Sequence, residues 1–334
     1  MKIVKKLQKF SLSAGLATGV LSAMLTTALH AQEAFPTRSV TMMIGYGTGG
    51  GTDVQARLAA QHLEKKLGVP VVVQNVPGAG SQVAASTLLR DGTDGYTILA
   101  TNQPDLSITM ALGNAPYKLS DFETVALDIY EPRIVMVLKD SPYQSFDAFV
   151  AAAKEAPGKL SFAVTAGGAQ EQFARWLVGE LGIDVRVVGY PSGGETTTAV
   201  MGGHVTATIG DDFARFSMRD DATALLIGSD KASPRWPEAE LMADALARYN
   251  VTPPSPDHLA RYQTYVVPAS VKTEFPERFA KLQEAITSLA TDPDYGAIVK
   301  ERGFEDLSLM AAPDAYNARF EATHEALMAA RPSN

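Results

Sequence analysis

The sequence predicts an α/β protein of two lobes, each with a mainly parallel sheet flanked by helices. Apolar runs of strand length recur along the chain, and helical patterns separate many of them, as is typical of parallel sheets. After a leader segment, about 300 residues remain, enough for two lobes with separate cores. The predicted strands are Val40–Ile44, Val69–Val73, Tyr96–Ala100, Val125–Ile129, Ile134–Leu138, Leu160–Val164, Val185–Val188, Val205–Ile209, Ala224–Ile227 and Tyr262–Val267.

Helical periodicity and start signals predict the helices. The clearest start is Thr52, which stands as an N-cap with Gln55 at the matching capping-box position, so a helix is predicted from Thr52 to Leu67. Other predicted helices are Gln82–Leu89, Phe146–Ala156, Gln170–Leu181 and Glu195–Met201. Near the C-terminus, one predicted helical face carries Phe279, Leu282, Ile286 and Leu289, and another carries Tyr316, Phe320 and Leu327.

Residues 1–31 have the features of an export signal. Four lysines precede an apolar stretch from Leu12 to Leu29, and a small-residue cleavage region ends at Ala31. A membrane anchor is the alternative, but Ser, Thr and Gly interrupt the apolar stretch. We therefore expect a periplasmic protein.

The charge balance argues against nucleic acid as a partner. The chain has 29 basic and 37 acidic residues, and loss of the four leader lysines would leave 25 basic residues and a net charge of −12. Nucleic acids and anionic membrane surfaces would repel such a chain. The sequence contains no cysteine, which rules out disulfides, thiolate catalysis and Cys-bound metals.

A glycine loop between the first strand and the first helix is the most informative feature of the chain. It reads Gly45-Tyr46-Gly47-Thr48-Gly49-Gly50-Gly51-Thr52-Asp53. Loop glycines let a ligand approach the backbone, and the first N–H groups of a helix have no intrahelical partner. A strand, a glycine loop and a helix N-terminus in this order predict an anion-binding site.

The same glycines match the dinucleotide fingerprint, so an exported NAD-dependent oxidoreductase using the Gly45–Gly50 loop is the alternative function. That fingerprint requires an acidic residue after the next strand, where this chain has Gln74 and Asn75. An enzyme exported in folded form would also need a twin-arginine signal, and the leader has no arginine.

Three further glycine-rich loops follow predicted strands and open predicted helices. They are Pro77-Gly78-Ala79-Gly80-Ser81, Thr165-Ala166-Gly167-Gly168-Ala169-Gln170 and Tyr190-Pro191-Ser192-Gly193-Gly194-Glu195. Because ligands of open α/β sheets bind at the carboxyl ends of strands, two early and two later loops are expected to face each other across a cleft. The alternative for any single loop is that turns in α/β proteins favour glycine anyway.

No set of residues requires catalysis. The histidines show no metal-ligand spacing. Ser192 stands near a nucleophile-elbow pattern, but Tyr190 replaces its leading glycine, so a hydrolase using Ser192 with a base such as His204 is weakly supported. Asp211 and Asp212 follow a strand and could hold a metal, although such acids are more often helix caps. We expect no enzymatic activity, no cofactor and no metal.

A series of motifs, in order along nearly the whole mature chain, matches a known family. They are Phe35-Pro36-Thr37-Arg38-Ser39-Val40, Gly49 to Arg57, Pro70 to Gly80, Asp94-Gly95-Tyr96-Thr97-Ile98-Leu99, Tyr190 to Gly194, Met201-Gly202-Gly203-His204-Val205 and Asp292-Pro293. On these residues the chain resembles the Bug-type extracytoplasmic solute-binding proteins of tripartite tricarboxylate transporters.

The resemblance implies a two-lobe periplasmic-binding-protein fold of the Venus-flytrap type. Lobe 1 would comprise residues 35–133 and 262–334, and lobe 2 residues 134–261. Such a protein would act as a monomer that captures a small carboxylate and delivers it to membrane components of the transporter. The carboxylate would be an aliphatic dicarboxylate, a tricarboxylate, an aromatic dicarboxylate such as terephthalate, or a smaller acid. The loop around Tyr46 and the segment from Gln74 to Val76 depart from the family pattern, so the particular ligand does not carry over.

Helix N-termini and loop N–H groups would hold the carboxylate on this acidic chain. Arg133 is the best charged partner, with a surface salt bridge as the alternative role. Asp53 is expected to organise the first loop, and Tyr46 either lines the cleft or contacts a lid. The predicted ligand-binding residues are Tyr46, Gly47, Thr48, Gly49, Gly50, Asp53, Gly78, Ala79, Gly80, Ser81, Thr101, Arg133, Thr165, Ala166, Gly167, Gly168, Gln170, Tyr190, Ser192, Gly193 and Asp211.

Cleavage of the leader is directly testable. Mass spectrometry of the protein recovered from the periplasm should detect a chain that begins at or near Gln32, because the small-residue site ends at Ala31. Recovery of the full-length chain from the cytosol would contradict export.

Overall fold

Two mixed β-sheets share one long strand at the centre of the protein. The computed structural model describes residues 35–113, 115–253 and 259–329. The chain from Arg38 onward forms one compact unit. The predicted export signal over residues 1–31 lies outside the described residues. Among those described, no helix combines the length and apolarity needed to cross a membrane.

The first sheet has the strand order β2-β1-β3-β10-β4-β11, and the second has the order β6-β5-β7-β4-β8-β9. We call the parts of the chain built on them the first and the second lobe. The strands are β1 Val40–Ile44, β2 Val71–Asn75, β3 Thr97–Gln103, β4 Phe122–Leu138, β5 Ser161–Thr165, β6 Arg186–Tyr190, β7 Ala207–Asp211, β8 Ala222–Ile227, β9 Glu240–Leu241, β10 Ala260–Pro268 and β11 Ser308–Ala311.

Helices connect the strands and cover the sheets. They are α1 Gly51–Leu67, α2 Gln82–Asp91, α3 Asp105–Ala111, α4 Phe146–Glu155, α5 Ala169–Glu180, α6 Gly193–Met201, α7 Met242–Ala247, α8 Ala269–Glu274, α9 Pro276–Thr287, α10 Pro293–Arg302 and α11 Asn317–Ala329. Short 3-10 turns lie at Leu119–Asp121, Phe213–Met218, Ser288–Thr291 and Pro313–Ala315.

Strand β4 joins the two sheets. The sequence predicts two strands there, but the structure has one strand of 17 residues. Pro132 pairs with β10 in the first sheet, and Arg133 pairs with β7 in the second, so the strand changes sheets between these residues. Proline has no N–H group to donate to the neighbouring strand. At the residue where β4 changes its partner strand, this missing donor breaks no ladder hydrogen bond. The predicted break therefore marks the junction between the sheets.

Strand direction follows the prediction only in part. The pairs β1/β2, β1/β3, β5/β6 and β5/β7 are parallel, whereas β4 and β10 run antiparallel to the strands β3, β7 and β8 and to each other. Strand β4 carries the chain into the second lobe, and β10 brings it back. The two connecting strands must run in opposite directions, which makes both sheets mixed.

Side chains of β4 alternate between two cores in the second lobe. Val135 and Val137 pack into one buried cluster, and Ile134 and Met136 pack with Trp236 into another. Because successive side chains of a strand point to opposite faces, helices on both sides bury this half of β4 completely.

The predicted cap of α1 is wrong. The helix begins at Gly51 with Gly50 as the N-cap residue, and no side chain caps it. Thr52 lies inside the helix, where its hydroxyl donates to Asn102 at 3.3 Å, and the side chain of Gln55 is buried without a partner. The tertiary contact of Thr52 thus replaces the expected capping box. The predicted C-terminal face is confirmed, since Phe279, Leu282, Ile286 and Leu289 are all buried.

A buried carboxyl group lies between β4 and β10. Asp128 of β4 accepts hydrogen bonds from Gln263 at 3.0 Å and from the Tyr265 hydroxyl, both on β10. Burial raises the pKa of Asp128 to about 6, an effect that the Tyr265 hydroxyl and Arg261 only partly offset. Between pH 4 and 6 the folded protein therefore holds a proton that the unfolded chain releases, and stability falls as pH rises through this range.

Replacement of Asp128 should reduce this pH dependence. In the variant Asp128→Asn the group can no longer ionise, so the free energy of unfolding of the variant relative to that of the native protein should rise by roughly 2.4 kcal/mol between pH 4 and pH 7. Urea unfolding at both pH values measures the difference. The exposed Asp140, replaced in Asp140→Asn, is the control. An equal change in both variants would show that burial of Asp128 has no such effect.

Candidate functional site

A small cavity lies where the two lobes meet. Its volume is about 40 Å³, room for only a few water molecules at roughly 10–15 Å³ each. The N-termini of α1, α5 and α6 converge on it, and it contains both basic and acidic side chains. The lining residues are Tyr46, Gly50, Gly51, Thr52, Asn102, Asp105, Arg133, Thr165, Gly168, Ala169, Gln170, Gly193, Asp211, Ala214, Arg215 and Arg261.

Two of the three arginines in the cavity have carboxylate partners. Arg133 forms a buried ion pair with Asp211 across the β4/β7 ladder. Arg261 of β10 pairs with Glu131 of β4, and its Nε lies 3.5 Å from Asp211. Burial lowers the pKa of Arg261, but Glu131 and Asp211 outweigh that effect and raise it overall. These charges therefore neutralise one another at the floor of the cavity.

Arg215 differs from the other two arginines. Its guanidinium donates to the Gly193 carbonyl at 2.8 Å and to the hydroxyls of Thr197 at 3.1 Å and Thr196 at 2.5 Å. Its Nε has no hydrogen-bond partner, as is also true of Arg133 and Arg261, but unlike them Arg215 forms no ion pair with any carboxylate in the described part of the chain. Burial lowers its pKa to about 10, so it still carries its charge at neutral pH.

Asp105 bridges the two lobes at the N-terminus of α5. Its Oδ1 accepts a hydrogen bond from the Ala169 N–H at 2.7 Å, and its Oδ2 accepts one from the Tyr46 hydroxyl at 2.5 Å. A Cβ atom on Gly168 would lie only 3.0–3.1 Å from the Asp105 carboxyl, so glycine permits this approach. Burial raises the pKa of Asp105. A carboxylate of the first lobe thus occupies a helix N-terminus of the second.

The second glycine loop packs against the second lobe and does not line the cavity. A Cβ atom on Gly80 would lie 2.4 Å from the carbonyl oxygen of Gly167, so the two loops meet backbone to backbone. Ser81 accepts a hydrogen bond from Thr101 behind this contact. The predicted site residues Gly78, Ala79, Gly80, Ser81, Thr101, Ala166 and Gly167 therefore lie outside the cavity lining.

The tip of the first loop is also outside the lining. Asp53 accepts a hydrogen bond from the Gly49 N–H at 3.0 Å and another from Asn75, which holds the loop in shape. Ser192 caps α6 by accepting from the Glu195 N–H, and its hydroxyl points to the Thr48 carbonyl. The predicted residues outside the lining here are Gly47, Thr48, Gly49, Asp53, Tyr190 and Ser192.

Eight predicted residues do meet in the cavity: Tyr46, Gly50, Arg133, Thr165, Gly168, Gln170, Gly193 and Asp211. The alternative role suggested for Arg133, a surface salt bridge, is wrong because the pair with Asp211 is buried. Sequence reasoning missed Asn102, Asp105, Arg215 and Arg261 among others. Asn102 lies near the end of β3, and Asp105 and Arg215 follow the ends of β3 and β7, so the rule that ligands bind at strand ends could have found these three.

A metal site at Asp211 and Asp212 finds no support. Asp212 is held by Arg235, whose Nε lies 2.7 Å away, and Asp211 by Arg133. Within the described ranges, no group of three or more His, Asp or Glu side chains could hold a metal ion. The acidic pair at the end of β7 therefore consists of partners for arginines.

The fold and the cavity define a binding protein of two lobes. The sequence profile of the tripartite tricarboxylate transporter family receptor (TctC) matches residues 55–321, and the chain belongs to this family. The family consists of solute-binding receptors of transporters and not of enzymes. The comparisons thus give no support to an NAD-dependent oxidoreductase or to a hydrolase using Ser192.

Individual relatives agree with this assignment. The chain is 31% identical to protein BugT of Bordetella pertussis over 218 residues, which cover 64% of this chain and 67% of BugT. The structure of the periplasmic binding protein BugD has a TM-score of 0.78 at 23% identity, with 89% of this chain and 97% of BugD covered. MatC from Rhodopseudomonas palustris with bound malate has a TM-score of 0.76 at 19% identity, with 89% and 100% covered.

Removal of one partner of the buried ion pair between Arg133 and Asp211 should destabilise the folded protein. Arg133→Ala should lower the free energy of unfolding by about 3–5 kcal/mol, because it leaves the Asp211 carboxylate buried without its main cation. The double variant Arg133→Ala/Asp211→Ala should lose less than the two single variants together. Denaturant unfolding of the three variants measures the coupling. Lys65→Ala, which breaks an exposed pair with Asp294, is the control and should change little. Additive losses would contradict a coupled pair.

Proposed function

We propose that this receptor captures a small carboxylate between its lobes in the periplasm and delivers it, as a monomer, to membrane components of a tripartite tricarboxylate transporter. The observation that carries this proposal is Arg215, a buried guanidinium in the inter-lobe cavity without a carboxylate partner among the described residues. Family membership supports the transporter.

The energetics of Arg215 favour an anionic ligand. Asp211 and Glu131 attract Arg215 without forming an ion pair with it, and its hydrogen bonds to Gly193, Thr196 and Thr197 involve only neutral acceptors. A buried charge without a directly paired counter-charge is costly. A ligand carboxylate would supply the missing charge, and a planar guanidinium suits two-point contact with a carboxylate. Binding would therefore remove an unfavourable feature of the empty site.

Helix N-termini add to the positive field. Gly50 and Gly51 at α1 and Gly193 at α6 line the cavity, and so do Gly168 and Ala169 at α5, where Asp105 already accepts from the Ala169 N–H. Each helix N-terminus carries a partial positive charge and N–H groups without intrahelical partners. This arrangement favours an anion although the chain as a whole is acidic.

The cavity is too small for a di- or tricarboxylate as it stands, so ligand entry would require the lobes to separate. Strands β4 and β10, which connect the lobes, are the natural position of a hinge. The two bodies that we propose to move relative to each other are residues 35–133 with 262–334, and residues 134–261. Malate bound to MatC shows that a protein of the same fold holds a small carboxylate.

Replacement of Arg215 should weaken ligand binding without lowering the stability of the protein. Arg215→Met keeps most of the side-chain volume but removes the charge, so the ligand-free variant should be at least as stable as the native protein. Affinity for carboxylates should fall about 10- to 100-fold, because a charge-assisted contact contributes about 1.5–3 kcal/mol. A thermal-shift screen of carboxylates, followed by calorimetric titration with the best one, measures both effects.

The matched control is Arg186→Met, which changes an exposed arginine on β6. At ligand about 100-fold above its dissociation constant, the native protein and this control should gain about 2.7 kcal/mol of stability. Unchanged affinity in Arg215→Met would remove the main support for the proposal.

A further inference from the structure

We infer that the site accepts a ligand with one carboxylate rather than two, because Asp105 already occupies the position at the α5 N-terminus that a second ligand carboxylate would need. This inference rests on the proposed function and names the ligand class of the same site. It makes Asp105 a specificity-determining residue.

The contacts of Asp105 are those expected of a bound carboxylate. One oxygen accepts from the Ala169 N–H in the first turn of α5, and the other accepts from the Tyr46 hydroxyl. Helix α5 has 12 residues, and its N-cap residue is Gly168, which has no side chain to cap the helix. The absence of a Cβ at Gly168 leaves the space that the Asp105 carboxyl fills. Two donors, one per oxygen, favour the ionised form of the group and act against the burial that raises its pKa.

Among the charged side chains that line the cavity, Arg215 is the cation without a carboxylate partner in the described residues. Arg133 pairs with Asp211 and Arg261 with Glu131, so neither is free to hold a ligand charge. Arg215 has no such partner, and its buried side chain lines the cavity. One carboxylate can therefore bind at Arg215. Asp105 lines the same cavity as Arg215, so a second ligand carboxylate held between the lobes would lie close to Asp105, and like charges repel strongly where water is excluded.

Pairs of ligands that differ in a single charge test this inference. Succinate and succinamate, and adipate and adipamate, have nearly the same shape but carry two carboxylates or one. Calorimetric titration of the mature protein should show at least tenfold tighter binding of the monoamide in whichever pair fits the cleft.

Two variants of Asp105 test whether this residue causes the preference for a single carboxylate. In Asp105→Asn the amide oxygen can still accept from Ala169, so the bridge between the lobes is kept while the charge is lost. Asp105→Ala frees the α5 N-terminus altogether. Both should bind the dicarboxylate at least tenfold more tightly than the native protein does, with the larger gain in Asp105→Ala. Asp140→Asn, which removes an exposed charge, should leave the preference unchanged.

Each outcome bears on the inference. Tighter binding of the dicarboxylate by the native protein would overturn it while leaving the proposed function intact. Weaker binding of all probes by Asp105→Asn would also overturn it, because Asp105 would then be a contact that the ligand needs. Failure of every mono- and dicarboxylate to bind the native protein would overturn the proposed function and this inference together.

Discussion

The buried ion pairs where β4 and β10 pass between the lobes are the constraint on which the site depends. Arg133 with Asp211, and Arg261 with Glu131, bring charges from three strands to one point beneath the cavity. Such pairs are costly to bury and costlier to break, so they restrict the strands to one register. They also neutralise two of the three arginines and thereby leave Arg215 as the cation available to a ligand.

The two positions of the cavity that we propose for carboxylates differ in the groups that form them. At Arg215 a side-chain charge is surrounded by the neutral oxygens of Gly193, Thr196 and Thr197. At α5 the positive end of a helix meets the carboxylate of Asp105. The first position lies within the second lobe, whereas the second joins the lobes. Charge recognition and lobe contact are therefore assigned to separate groups.

Much of the fold was predictable because it follows local patterns. The outer parallel strands and the C-terminal helix face were found from apolar periodicity, whereas the continuity of β4 was hidden by Pro132. Strands β9 and β11, with two and four residues, are too short to produce a pattern. The four glycine loops were located correctly, but which of them lines the cavity depends on tertiary packing. Asp105 and Arg215 were missed because no glycine or repeat marks them.

Because β4 belongs to both sheets, the chain cannot be cut within this strand without damage to both lobes. Each sheet places β4 between two other strands, β10 and β11 in the first and β7 and β8 in the second. A fragment that ended within this strand would expose the unpaired backbone edges of its former neighbours, which invites aggregation. The first lobe is also assembled from two distant parts of the chain. Although the protein has two lobes, neither is a module that could be excised, grafted or inherited alone.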